Sequence, residues 1–592
     1  MGCFDYPVDS KTLLRKKIRI KKELLSGSVN WIEKRIAVLG GSTTNEIVDQ
    51  LELFLLFNGI RPTFYQSEYA QFWQDAVFGN EELDSFHPDV VFIHTNWRNI
   101  PAFPTVSGTK EEAAELLDGT FRRFSTMWDK LNEKFHCTII QNNFDRPYWR
   151  LLGNSDISDS RGRSNFIAKL NLMLYEYADA HPAFFVNDLD FLAADYGLAA
   201  WSNPLYWHMY KYCLCLDGVP RLAKSVADII KSVYGKNKKV LMCDLDNTLW
   251  GGVVGDDGVE GIQIGPEVPV GQIYAEFQQY LKELKSIGVL LTVNSKNEEQ
   301  NALDGLRHPD CTLKPEDFVS IKANWENKDR NLRAIADELN LGTDSFVFID
   351  DNPTEREIIR QADHGVAVPE MDQPENYIRL IDRSGYFEVT ALSADDLSRA
   401  DMYQANARRV RLQEAAGSYE DFLKSLQMTA TIRPFEAIYM QRIAQLTNKS
   451  NQFNLTTLRC SESDIAGMQA SEEYLCLYGK LEDKFGDNGV VSVVSGRIEK
   501  DELHMVLWLM SCRVLKRGME DAMLDTLAAV AEEKGIKKII GYYYPSPKNG
   551  MVKEFYRRMG FAFLSGDDAG NTTWELDLCD YKPKAPPIEI RK

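Results

Sequence analysis

The amino-acid sequence predicts an α/β protein made of three successive domains. Over the first 385 residues, short apolar runs alternate with amphipathic helix-like segments, which is typical of a parallel sheet covered by helices. Residues 386–426 contain helix-like sequence without strands and are predicted to be a helical linker. Beyond residue 427, longer strand-like runs are joined by charged turns, which indicates an antiparallel α+β domain.

The composition is that of a globular protein and excludes several classes of function. Hydrophobic residues make up 44% of the 592 residues and charged residues 26%, and the net charge is −19. This acidity argues against nucleic-acid and anionic-membrane binding, which require basic surfaces. No apolar run reaches 18 residues, so no membrane span is expected. Ten cysteines without a CxxC pair are typical of a cytoplasmic protein with free thiols.

The predicted first domain covers residues 1–235 and ends at the polar junction GKNKK. Its strand-like runs RIAVLGG, PDVVFIHTN and CTIIQNN each lead into a polar loop. Because helix-like segments separate these runs, the sequence predicts a three-layer α/β domain with a parallel sheet.

The predicted second domain, residues 236–385, has acidic residues where its strands end. The run VLMCDLDNT places Asp244 and Asp246 two positions apart after a buried strand, with Thr248 following. Ser295 ends the strand VLLTVNS, Lys328 precedes a helix, and Asp350 and Asp351 end the strand SFVFIDD. The carboxyl ends of parallel strands form one crevice, where open α/β sheets bind ligands.

These residue types have distinct uses in phosphoryl transfer. A carboxylate nucleophile requires a divalent cation, held by an acidic cluster, to screen its charge from that of the phosphate. A second carboxylate can protonate the leaving oxygen and then activate water. A hydroxyl and an ammonium group hold the phosphoryl oxygens. The alternative is a strand-end turn with solvated acids.

The four elements, in this order, resemble the motifs of the haloacid dehalogenase (HAD) superfamily, which are Rossmann-like Mg²⁺-dependent phosphotransferases. The resemblance implies that Asp244 is the nucleophile and Asp246 the general acid/base, which also binds Mg²⁺ through its backbone carbonyl. It implies that Ser295 and Lys328 bind phosphate and that Asp350 or Asp351 ligates Mg²⁺. Thr248, in the same motif, is predicted to contact substrate.

The spacing between the motifs leaves no room for a cap domain. A helix takes up much of the gap between Asp246 and Asn294, and 21 residues separate Lys328 from Asp350. A capless site is open, which fits a bulky or protein-tethered substrate, or a lid that another domain supplies.

The sequences of the motifs narrow the resemblance to one branch of the HAD superfamily. The segments DLDNTLWGGVVGDDGVEGI, NSKN, NWENKDRNL and FIDDNPTERE are similar to the FkbH-like branch of HAD proteins. Some members of that branch make glyceryl-carrier thioesters from a glyceryl phosphate donor. The resemblance therefore implies acyl transfer to an acyl carrier protein, coupled to dephosphorylation.

The predicted third domain, residues 427–592, contains SCRVLKRGME between a strand and a helix. With Arg513 and Gly518, this loop resembles the phosphate-binding loop of GNAT acyltransferases, although Lys516 stands where a glycine is usual. The resemblance implies that acyl-CoA binds there, or a phosphopantetheine arm alone. NGMVKEFYRRMGF resembles a later GNAT segment, with Asn549 and Tyr556 near the thioester sulfur.

Two further features of the third domain have alternative interpretations. Cys512 lies beside the basic loop and is a candidate acyl-thioester relay, or a small apolar residue at a strand end. Asn448, Asn451 and Gln452 are candidates to bind a polar acyl group, or to cap a helix end.

The segment VLGGSTT in the first domain resembles the first motif of SGNH hydrolases, with Gly41 in place of the usual Asp. The resemblance implies Ser42 as nucleophile, Asn96 in the oxyanion hole and His208 as base. The usual Asp before that His is Leu205, so the triad lacks its orienting acid unless Asp188, Asp190 or Asp195 replaces it. The alternative is a degenerate domain that shapes the phosphatase site or binds a carrier protein.

Together, these patterns predict a cytoplasmic phosphatase or phosphotransferase with a phosphorylated small-molecule substrate. Its phosphoryl transfer is predicted to serve acyl transfer in polyketide-like or surface polysaccharide biosynthesis. Two alternatives remain: a stand-alone phosphatase on a sugar or acyl phosphate with architectural flanking domains, and a non-catalytic scaffold of a biosynthetic complex.

Overall fold

The structure is a computed structural model that describes residues 2–27, 31–415, 417–450, 452–546 and 548–591. The chain forms two compact units, one of Met1–Val233 with Ser461–Asp464 and one of Tyr234–Cys460 with Ile465–Lys592. The predicted second and third domains thus lie in a single compact unit, and their division at residues 386–426 stays a prediction.

The first unit contains a five-stranded parallel sheet in the order β2-β1-β3-β4-β5. The last five residues of β1 and all residues of β3 and β4 are buried, which requires helices on both faces of the sheet. The strands are β1 (Ile32–Gly40), β2 (Ile60–Gln66), β3 (Val90–His94), β4 (Thr138–Asn142) and β5 (Phe184–Asn187). The helices are α1 (Ser10–Leu25), α2 (Asn45–Phe57), α3 (Phe72–Phe78), α4 (Glu81–Phe86), α5 (Lys110–Phe135), α6 (Arg163–Ala180), α7 (Leu189–Tyr196), α8 (Leu198–Trp201), α9 (Pro204–Tyr210) and α10 (Val219–Val233).

The second unit begins with a four-stranded parallel sheet in the order β8-β7-β6-β9. Its central strand β6 is flanked by β7 and β9, so the residues that follow these three strands meet at one edge. The strands are β6 (Val240–Cys243), β7 (Leu290–Ser295), β8 (Phe318–Ala323) and β9 (Phe346–Ile349). The helices are α11 (Val254–Asp257), α12 (Pro269–Ser286), α13 (Glu299–Leu306), α14 (Lys328–Leu339), α15 (Pro353–Ala362) and α16 (Tyr377–Arg383).

The connections between these strands consist of helices and 3₁₀ turns. Between β6 and β7 the chain forms α11, a single 3₁₀ turn and α12, and between β8 and β9 it forms α14 and another 3₁₀ turn. In these fully described connections no inserted sheet covers the carboxyl edge, in line with the expected capless arrangement.

Residues 386–426 are helical, with α17 (Ala394–Leu397), α18 (Arg399–Ala415) and α19 (Tyr419–Ser425). An eight-stranded sheet follows, in the order β15-β16-β14-β13-β12-β11-β10-β17. Its strands are β10 (Met428–Pro434), β11 (Tyr474–Asp483), β12 (Gly486–Glu499), β13 (Glu502–Met510), β14 (Lys538–Tyr543), β15 (Ala562–Gly566), β16 (Thr572–Asp577) and β17 (Ile588–Arg591). Its helices are α20 (Met440–Lys449), α21 (Glu462–Ala470), α22 (Met519–Glu533) and α23 (Phe555–Met559).

Strands β13 and β14 pair in parallel over only three residues each, Glu502 to His504 against Lys538 to Ile540, and then diverge. The segment after α20 fills the gap that they leave. Leu455 donates its N–H to the Trp508 carbonyl on one side, and Tyr544 donates to the Leu455 carbonyl on the other. Leu455 therefore bridges β13 and β14 where these two strands no longer pair with each other.

Candidate active site

Three carboxylates meet at the carboxyl edge of the four-stranded sheet. Asp244 follows β6, and its backbone N–H donates to the Ile349 carbonyl at the end of β9. Asp350 and Asp351 come directly after β9. One oxygen of each carboxylate lies within 4.8 Å of those of the other two, so the parallel pairing of β6 and β9 gathers the three acids at one point.

Lys328 lies inside this acidic cluster at the first residue of α14. Its Nζ is 2.9 Å from Asp244 Oδ1 and 2.5 Å from Asp350 Oδ2, and the residue is only 2% exposed. Burial opposes the charge of Lys328, but the two aspartates outweigh burial and raise its pKa. Burial and the neighbouring Asp244 raise the pKa of Asp350 to about 7. The site thus holds like charges close together, with one cation among them.

Asp246 accepts hydrogen bonds on both of its carboxylate oxygens. Trp250 Nε1 and the Val254 N–H donate to Oδ1 at 2.9 and 3.0 Å, and Asn297 Nδ2 donates to Oδ2 at 3.0 Å. Burial is the main cause that raises the pKa of Asp246. A fixed carboxyl group with a raised pKa has the properties of a general acid. Its predicted contribution to metal binding through the backbone carbonyl stays a prediction.

The two predicted hydroxyl residues have different surroundings. Thr248 is fully buried and donates to Asp351 Oδ1 at 3.4 Å, while its Oγ1 accepts from the Asp351 N–H at 3.2 Å. Thr248 therefore positions an acid of the cluster. Ser295 is buried at the end of β7, the strand beside β6.

Sequence reasoning missed two residues that position the site. The buried Arg356 in α15 donates from one nitrogen to the carbonyls of Asp350 and Asp351, both at 2.8 Å. Asn297, in the loop after β7, holds Asp246 as described. Arg356 stands six residues after Asp350 on a helix that starts at the acidic loop, but the sequence pattern does not show that its side chain is buried.

The third-domain candidates separate into two groups. Cys512 and Arg513 line a cavity in the second unit. Arg517, in contrast, donates to Asp483 and Asn406, and Tyr419 of α19 donates to the Lys516 carbonyl at 2.6 Å. An added Cβ on Gly518 would lie 3.0 Å from Pro586, so residues of this unit lie directly against the loop that resembles a phosphate-binding loop.

Asn549 and Tyr556 are completely buried. Asn549 Nδ2 donates to the carbonyls of Asn454 and Tyr544, both at 2.9 Å, and so fastens the segment that fills the gap between β13 and β14. An added Cβ on Gly541 would lie 2.3 Å from the Tyr556 ring, so this tyrosine packs against strand β14. Asn448 donates to the carbonyls of Ala444 and Cys460, and Asn451 lies outside the described residues.

In the first unit, the candidate nucleophile and base have different environments. Ser42 is buried and donates to Cys213 Sγ at 3.4 Å, whereas His208 is exposed on α9. His94 Nε2 lies 3.1 Å from the same sulfur. Because Asn142 Nδ2 donates to His94 Nδ1 at 2.9 Å, the imidazole proton is on Nε2 and is donated to Cys213. The structure thus joins Ser42 to Cys213 and His94.

Burial keeps this network uncharged. It lowers the pKa of His94 to about 4 and raises the pKa of Cys213 to about 11. Asn96, the predicted oxyanion residue, is buried beside it and accepts from the Arg98 N–H at 2.8 Å through its side-chain oxygen.

Within the described part of the chain, every helix is too short or too polar to cross a bilayer.

Residues 35–231 match the family model described as FkbH, N-terminal domain. The match lies in the predicted first domain, whereas the motifs that resemble FkbH-like proteins lie in the predicted second domain. The chain matches none of the curated proteins.

The chain is similar to a solved structure, the N-terminal part of the protein BF1531 from Bacteroides fragilis, which contains a phosphatase domain and was complexed with Mg. The two share 30% identity with a TM-score of 0.58, over 63% of this chain and 99% of the other.

Two acetyltransferase structures also match. The ribosomal-protein-S18-alanine N-acetyltransferase of Escherichia coli has 16% identity, and the PaiA N-acetyltransferase of Thermoplasma acidophilum 15%. They cover 26% and 25% of this chain and 98% and 99% of their own, each with a TM-score of 0.21, and support no conclusion here. The FkbH match and the 30% identity to the whole Bacteroides phosphatase-domain structure together show that this chain belongs to the FkbH family of HAD-type proteins.

Proposed function

We propose that this protein is a Mg²⁺-dependent phosphatase or phosphotransferase that acts through an aspartyl-phosphate on Asp244. One observation supports this proposal above the others: Lys328 contacts Asp244 and Asp350 inside a group of three carboxylates at the carboxyl edge of the sheet. Such a group has the charge and the donors to hold both a phosphoryl group and its metal.

The residues present fit a magnesium ion. Asp244, Asp350 and Asp351 offer only oxygen donors, the ligands that Mg²⁺ prefers. Among the described residues of the cluster, Lys328 offsets one of the three negative charges, and a divalent cation would balance the other two. Bound there, the ion would screen the phosphoryl oxygens and stabilise the charge that develops on them.

The side chains can perform both half-reactions. In the first, an Asp244 oxygen bonds to phosphorus, the bond from phosphorus to the leaving oxygen breaks, and Asp246 gives that oxygen its proton. In the second, Asp246 takes a proton from water, the water oxygen bonds to phosphorus, and the phosphorus–Asp244 bond breaks. Lys328 and Ser295 hold the phosphoryl oxygens through both steps.

Hydrolysis of a generic aryl phosphate tests the phosphatase proposal. Turnover that requires Mg²⁺, stops with chelator and disappears in Asp244→Asn is the expected result. Mass spectrometry of acid-quenched enzyme is expected to show one phosphate on the peptide that contains Asp244. Turnover in the Asp244→Asn variant would contradict the mechanism, and no turnover of any phosphate ester by the wild type would favour the scaffold alternative.

We further infer that dephosphorylation serves acyl transfer to a carrier protein, with Cys512 as the relay. The position of the Cys512 thiol on a cavity of the same compact unit supports this inference. The test is incubation with a phosphoglyceryl donor and an acyl carrier protein. A mass increase on the carrier, or on Cys512, is expected, whereas phosphate release without an acylated protein would leave the stand-alone phosphatase.

A further inference from the structure

The second unit contains a cavity of about 220 Å³ that is remote from the phosphatase centre. Its walls come from the start of β6, the loop after α14, helices α18 and α20, and residues 510–513. Six positively charged side chains line it: Lys239, Arg399, Arg442, Lys449, Arg513 and Lys548.

The cavity and the phosphatase centre lie at opposite edges of the four-stranded sheet. Lys239 directly precedes β6 and Asp244 directly follows it. In the same way Ser345, which lines the cavity, precedes β9, and Asp350 follows that strand. Five residues of extended chain span roughly 16 Å. A group bound in the cavity therefore cannot contact Asp244 at the same time.

The acids near the cavity do not balance its cations. Asp395 pairs with Arg442 at 2.9 Å and lies 3.5 Å from Arg513. Asp344 pairs with Lys548 at the rim. Asp396 pairs with Arg399 and with Lys449, the latter at 3.0 Å. Six cations against these three acids leave an excess of three positive charges among the described residues.

This excess is costly to bury without a partner of opposite charge. Burial, followed by repulsion from the neighbouring cations, lowers the pKa of Lys449 well below its ordinary value. Burial also lowers the pKa of Lys239 to about 8 and those of Arg399 and Arg442 to about 10. A negatively charged ligand would remove the repulsion and supply the missing partner.

We propose that this cavity is a second anion-binding site, which takes a compact anion with at least two negative charges, carried by phosphate or carboxylate groups. Pockets for drug-sized ligands enclose about 300–1,000 Å³, so this smaller cavity suits a compact ligand. Arginine forks suit phosphate and carboxylate oxygens, and lysines add positive charge. The cavity also holds Cys512, so the inference extends the proposed acyl transfer, but it does not rest on the phosphatase activity, because the cavity and the phosphatase centre share no residue.

Binding of inorganic pyrophosphate to the full-length protein in chelator, measured by calorimetry, tests the proposal. Without Mg²⁺ the phosphatase centre presents its unbalanced carboxylates, so we expect the cavity to be the binding site. Lys449→Gln removes a buried charge-assisted contact and is expected to weaken binding about 10–100-fold. Lys548→Gln, at a 45% exposed side chain, is expected to weaken it less and guards against a folding defect in the first variant.

Two variants serve as controls. Lys534→Gln makes the same chemical change at an exposed position and is expected to bind pyrophosphate like the wild type. Lys328→Gln removes the cation of the phosphatase centre and is also expected to bind normally. The proposal is overturned if the wild type does not bind pyrophosphate in chelator. It is also overturned if Lys328→Gln abolishes binding while Lys449→Gln and Lys548→Gln leave it unchanged.

Discussion

Two parallel sheets of this protein place polar side chains at the carboxyl ends of their strands, with opposite results. In the first unit, Ser42 and His94 both hydrogen-bond to Cys213, and Asn142 donates to His94, so that neutral groups serve as each other's partners. In the second unit, Asp244 and Asp350 crowd around Lys328 with an excess of negative charge. A strand end therefore becomes a candidate catalytic centre when its charges require an outside partner, and a packed interior when they do not.

The largest expected effect is that of Asp244→Asn. An amide retains the shape of the side chain but is a poor nucleophile, so we expect kcat for Mg²⁺-dependent aryl phosphate hydrolysis to fall by about 10³-fold or more. Steady-state kinetics of the wild type and the variant measures this change in kcat. Asp337→Asn, at an exposed position of α14, is the matched control and should retain wild-type kinetics.

Arg356→Gln should give the next largest effect. The change removes two 2.8 Å hydrogen bonds to the carbonyls of Asp350 and Asp351, which hold the loop proposed to bind Mg²⁺. Loss of such supporting contacts typically weakens metal binding about 10–100-fold. Mg²⁺ titration of activity should show a raised half-activating concentration. An unchanged Mg²⁺ requirement in a folded variant would mean that Arg356 does not position the ligands.

Asn297→Ala is expected to lower kcat by roughly 10-fold, because Asp246 loses one of the donors that fix its orientation as general acid. The measurement is kcat for a substrate with a poor leaving group, which needs protonation, against one with a good leaving group. If both substrates slow equally, Asn297 does not act through Asp246.

In the first unit, we expect changes in stability rather than in chemistry. Asn142→Ala leaves His94 Nδ1 and Asn187 Nδ2 without their buried partner, at a cost of roughly 1–3 kcal/mol in the free energy of unfolding. Urea denaturation of the wild type and the variant measures this difference in the free energy of unfolding. His208→Ala, at an exposed residue, should change that energy by less than about 0.5 kcal/mol. Loss of an esterase activity in the His208 variant would support the SGNH-like interpretation.

Most residues of the candidate phosphatase site in the second unit could be predicted from the sequence, because the carboxyl ends of parallel strands lie at one edge of a sheet. Asp244, Lys328 and Asp350 each stand at a predicted strand or helix boundary, and the pairing of β6 with β9 brings them together. Arg356 was missed because an arginine inside an amphipathic helix has the same sequence pattern whether it is solvated or buried.

The sequence by itself determined the α/β architecture and the order of the strand-end acids, since periodicity and turn residues are local properties of the chain. Only the tertiary structure decided that Ser42 faces Cys213, that residues 453–456 fill the gap between β13 and β14, and that six cations line one cavity. The reason is physical: burial and charge balance depend on contacts between segments far apart in the chain, and no local pattern records which solvated-looking lysine or arginine will lose its water.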